Sequence, residues 1–96
     1  MKLTIITEDN NVGKDGWFYP DLDLTSCGIP SNVWALQWDN DSGHIEYKGA
    51  HIQNETITEL PTWANEVASA WQVAEEVKLA AAAAAAAEEA ETNETV

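Results

Sequence analysis

Ninety-six residues make one domain and leave no room for a second core. Four lysines, no arginine and 17 acids give a net charge of −13. That disfavours binding to nucleic acid or to an anionic membrane surface, both of which need dense Lys and Arg against phosphate.

Leu3, Ile5 and Thr7 alternate with Lys2, Thr4 and Ile6, which predicts a first strand over about 2–7. The stretch Glu8 to Gly16 is dense in Asn, Asp and Gly and reads as a turn or hairpin loop. Trp17-Phe18-Tyr19 restarts an extended segment over 17–24, with Pro20 arguing for an edge position, a bulge or an early break. Residues 25–31, with Gly28 and Pro30, read as a surface crossing.

The clearest pattern follows. Over 32–39, Trp34, Leu36 and Trp38 fall on one face of a strand, while Val33, Ala35 and Gln37 fall on the other. Asp39 to Gly43 is a five-residue turn cluster, and 44–48 resumes the alternation with Ile45 and Tyr47 together, so a hairpin is predicted. Residues 49–60 are polar and read as irregular.

Pro61 suits the first turn of a helix, with Thr62 as an alternative N-cap. Trp63, Val67, Ala70, Trp71 and Ala74 then recur at helical spacing and form a stripe that can cover one sheet face. The helix continues into eight consecutive alanines, Ala80 to Ala87, where propensity is highest. A helix over 61–87 is about 40 Å long, longer than a small sheet can cover, so its last turns are expected to project or dock on another chain. Fraying is expected from Glu88 and disorder from Thr92 to Val96. The expected architecture is α+β: a small antiparallel sheet of three to four strands packed by one long C-terminal helix. A domain over 1–78 is followed by an Ala/Glu-rich extension and tail over 79–96.

Material for catalysis is thin. Cys27 with His44 or His51 as base is conceivable, but Cys27 has no cationic neighbour in sequence to activate it and reads as structural. The single cysteine permits no intrachain disulfide and suits a reducing compartment. His44, His51 and Glu46 match no zinc spacing. Asp9-x-Asn11-x-Gly13 and Asp39-x-Asp41-x-Gly43 open like calcium loops. However, Lys14 and His44 occupy the glycine position, and Pro20 and Ala50 occupy the glutamate position. No enzyme activity, cofactor or metal is expected.

Trp34, Trp38, Trp63 and Trp71 read as core. Trp17, Phe18 and Tyr19 form a cluster that either closes the core, the favoured reading, or anchors a partner. If partner contacts exist, Trp17, Phe18, Tyr19, Trp71 and Val77 are the residues assigned to them. The first residues lack a signal-peptide core, and the alanine run is too short to span a bilayer. A soluble cytoplasmic product is the expectation, with the N-x-S/T triplets at Asn40, Asn54 and Asn93 as chance matches.

Three stretches, MKLTIITEDNNVGKDGWFY, IPSNVWALQWDNDSGHIEYKG and ELPTWANEVASAWQ, resemble small proteins encoded beside tail-fibre genes of tailed bacteriophages, of the tail-fibre assembly type. The most specific element is the ALQW strand, its turn and the GHIEY strand. The resemblance implies a non-enzymatic role: helping a phage tail-fibre protein fold and trimerise in the host cytoplasm, or remaining on the virion tail. It transfers no catalytic or binding residues. The alternative raised by the charge is an acidic DNA mimic that blocks a host nucleic-acid-binding enzyme.

Overall fold

The computed structural model describes residues 1–94, with side chains as far as residue 86. The opening alternation forms strand β1 (Lys2–Ile6), which buries Leu3 and Ile5 completely. A turn through Thr7–Asn10 leads to β2 (Asn11–Lys14), and Asp15-Gly16 leads directly to β3 (Trp17–Tyr19). Asp15 and Gly16 both have positive φ, 52° and 93°. A tight two-residue hairpin of the I′ kind needs left-handed geometry at both centres, and Asp-Gly supplies it at low cost. β3 stops at Tyr19, short of the expected Leu24, because Pro20 has no N–H to continue the ladder. The crossing that follows still packs Leu22, Leu24, Cys27 and Ile29 against the core.

The predicted central hairpin is present as β4 (Val33–Asp39) and β5 (Ser42–Tyr47). Its loop is two residues rather than five, Asn40-Asp41, with Asn40 at φ 58°. A short strand β6 (Glu55–Ile57) follows. All pairings are antiparallel, in the order β3-β2-β1-β4-β5-β6.

The sheet therefore has six strands where three to four were expected. β2 escapes a pattern search because Val12 is its one large apolar residue and Gly13 sits inside it. β6 has three residues, of which only Ile57 is apolar. Both take their strand geometry from neighbours that are already ordered.

Register explains the core. One row across the sheet is Tyr19, Val12, Ile5, Leu36 and Ile45, and the next is Trp17, Lys14, Leu3, Trp38, Gly43 and Ile57. These rows face the same side, as the two-residue period requires. A register shift between Val33 and Ala35 corrects one expectation. The extra residue of this bulge, Trp34, is turned outward and 39% exposed, while Val33 moves to the buried face beside Leu36.

The helix α1 (Thr62–Glu94) starts immediately after Pro61, whose carbonyl accepts the N–H of Asn65 at 3.2 Å. Its face of Ala64, Val67 and Trp71 is buried on the sheet, with Trp63, Ala68 and Ala70 packed beside it. The 33 residues extend about 50 Å, and from Glu76 to Ala86 every side chain is exposed. The molecule measures 65 × 24 × 19 Å as a result. The helix continues through Glu88 and Thr92 as far as Glu94; the remainder of the expected disordered tail, Thr95 and Val96, lies outside the described residues.

Candidate functional site

β3 is an end strand of the sheet, and α1 passes beside it. Between them lies a cleft of about 240 Å³, with Trp17, Phe18 and Tyr19 on one wall and Glu75, Lys78, Leu79 and Ala82 on the other. Trp17 is 71% exposed and Phe18 53% exposed. Core closure by these two residues is thereby corrected. A three-residue strand at the rim has no second layer over it to bury both of its faces.

Each aromatic is held differently. Phe18 stands opposite Gly13 on the outer sheet face, where a Cβ on Gly13 would overlap its ring. The ring occupies the room that glycine leaves. Tyr19 is half-buried, packs edge-on against Trp71 at 5.7 Å between ring centres, and donates its hydroxyl to the Glu75 carboxylate. That hydrogen bond raises the phenol above its ordinary pKa, with desolvation and the Glu75 charge adding to it. The Lys78 ammonium lies 5.4 Å from the Tyr19 ring centre, within cation–π range.

Trp71 lies beneath the cleft rather than in it. It is buried, and its indole N–H donates to the Trp17 carbonyl at 3.0 Å. The Lys14 ammonium lies 5.0 Å from the same ring and donates to Gln72 Oε1 at 3.3 Å. Together these contacts fasten the edge strand to the helix. Of the five residues assigned to partner contact, three therefore line the cleft and Trp71 supports it. Val77 is 64% exposed but does not line the cleft. Sequence reasoning missed Glu75, Lys78, Leu79 and Ala82. The spacing Trp71, Glu75, Lys78, Ala82 continues the buried helix stripe and was the available signal.

The remaining chemistry-bearing residues do not converge. Cys27 is buried with the core, and its thiol pKa is raised by that burial first and by Glu66 and Asp23 second. His44 alternates with buried Ile45, so it belongs to the outer sheet face, where it lies 3.8 Å from Glu46. His51 is exposed at φ 64°. Asn11 and Gly13 of the first calcium-like spacing are ladder residues of β2, and Asp39 to Asp41 form a hairpin corner. Among the described residues no group of three or more His, Cys, Asp or Glu is placed to hold a metal ion, and no helix is long and apolar enough to cross a membrane. A larger hollow of about 360 Å³ lies around Thr4, Gln37 and His44. Thr4 and Gln37 already bond each other there at 2.9 Å, and it lacks the exposed aromatics of the edge.

Comparison with protein-family models, with curated proteins and with solved structures finds no match for the chain.

Proposed function

We propose that the chain is a non-enzymatic accessory or assembly protein of a phage tail fibre, binding a fibre chain through the β3 edge and the adjoining helix face. The observation that carries this reading is the rim itself. An end strand with Trp17 and Phe18 largely exposed adjoins a helix flank that carries Leu79 and Ala82 beside Glu75 and Lys78. Large exposed aromatics clustered on a monomer's rim are a signature of contact surfaces. A fibre built from β-rich trimers leaves sheet edges open until its chains associate, and a small sheet with an open edge can protect one by strand addition. The resemblance of the three sequence stretches to proteins encoded beside tail-fibre genes is what favours a fibre chain as the partner. The work would take place in the host cytoplasm during assembly, with retention on the virion tail as its continuation.

Affinity purification of the full chain from phage-infected cells, followed by mass spectrometry, tests the reading. The expected result is a fibre chain retained in fixed ratio. Recovery of a host nucleic-acid-binding enzyme instead would overturn the proposal in favour of an acidic decoy.

A further inference from the structure

The helix outruns the sheet that it covers. Its buried stripe, Ala64, Val67 and Trp71, continues at helical spacing through Glu75, Lys78 and Ala82. Glu75 and Lys78 reach Tyr19 at the end of β3, and beyond them Leu79 and Ala82 border open space. β3 has a neighbour on one side only, so its free side offers unpaired backbone groups. The cleft thus has two unlike walls: a strand edge that can be paired, and a helix face that can be packed. A further strand about 4.8 Å out from β3 would meet both at once.

We infer that the cleft takes one extended segment of another polypeptide as a seventh strand beside β3, with large apolar side chains turned toward Leu79 and Ala82 and with Lys or Arg at the alternate positions. This rests on the proposed function and specifies which kind of segment the partner supplies. Large apolar residues suit Leu79 and the Ala82 methyl, the parts of the helix wall left open once Glu75 and Lys78 are engaged with Tyr19. Basic residues suit the net charge of −13, whose field draws cationic segments to the chain. Of the four lysines, Lys2 pairs with Asp39 at 4.0 Å, Lys14 and Lys78 are held over aromatic rings, and Lys48 is exposed.

A second copy of the chain fits poorly. Two copies each carry −13, and pairing their β3 edges would bring those like charges together.

The test uses the full chain and a capped peptide of about eight residues that alternates lysine with phenylalanine or valine. A second peptide carries glutamate in place of lysine. Backbone amide shifts and hydrogen exchange are followed by NMR, and self-association by sedimentation equilibrium. The expected result is slowed exchange confined to Trp17–Tyr19 with the lysine peptide, and binding of the glutamate peptide weaker by about tenfold or more. Two exposed positions, Ala82→Gln and Leu79→Gln, should each weaken the lysine peptide about tenfold while leaving the circular dichroism and thermal midpoint of the free chain unchanged. Equal binding of both peptides, protection at Glu55–Ile57 instead, or no binding would overturn the inference. So would slowed exchange at β3 that grows with the chain's own concentration, which would make a second copy the occupant. Retention of a fibre chain by Ala82→Gln in infected cells would sink this inference and leave the proposed function intact. Peptide binding without any fibre chain recovered would do the reverse.

Discussion

Both tyrosines of the chain donate their hydroxyls to carboxylates, Tyr19 to Glu75 and Tyr47 to Glu55. In each the hydrogen bond is the first cause of a raised phenol pKa, with desolvation and the carboxylate charge following. The unfolded chain therefore ionises first as pH passes about 10. Whatever stability these bonds give is whole below that pH and is lost as pH rises through the native values. Spectrophotometric titration should show both phenols ionising later in the native chain than in urea. A native phenol titrating at the ordinary value would contradict its hydrogen bond. Gly43 offers a second residue-scale expectation. Its backbone is extended, and a Cβ there would run into the Gln37 carbonyl oxygen and approach Trp38 Cα at 2.9 Å. Because backbone must move to admit it, Gly43→Ala should cost about 1–3 kcal/mol, read as a lower urea midpoint at unchanged slope.

Two valines show how unevenly one helix contributes. Val67 is fully buried against the sheet, and Val77 is 64% exposed. Val67→Ala should destabilise by about 1–3 kcal/mol, whereas Val77→Ala should stay within about 0.5 kcal/mol; urea unfolding of the two variants compares them directly. The same contrast governs what could be read from the sequence. The β4–β5 hairpin was legible because Leu36, Trp38, Ile45 and Tyr47 alternate strongly, and the helix was legible because Val67 and Trp71 mark its inner face. Asp15-Gly16 also signals a tight hairpin, but it sits among so many turn-forming residues that the strand before it reads as loop. Val12 alone could not outweigh them. Trp34 misled for another reason: a bulge changes which side a residue faces without altering the pattern of residue types. The cleft was half visible. Trp17, Phe18 and Tyr19 drew notice as aromatics, while Glu75, Lys78 and Ala82 looked like an ordinary solvated face, because their position over the rim depends on where the sheet ends.

Over the whole molecule the dominant quantity is charge. A chain at −13 repels itself when folded, and salt screens that repulsion over a Debye length of about 10 Å at 0.1 M. The thermal midpoint should therefore rise as sodium chloride is raised from about 10 mM to about 150 mM. A flat or falling response would mean that the charges are spread too widely over the 65 Å length to act together. The elongated shape also separates functions. The sheet end holds the apolar core, and the exposed half of α1 adds reach without adding to that core.

Cys27 gives the fold a clock. The thiol is buried with the core, and that burial pushes its pKa up. A soluble disulfide reagent can register it only when the crossing between β3 and β4 lifts away. The rate of labelling should then equal the open fraction multiplied by the rate for an unstructured thiol, which turns a silent buried side chain into a count of how often that segment opens. Labelling as fast as in urea would mean that the segment spends most of its time open.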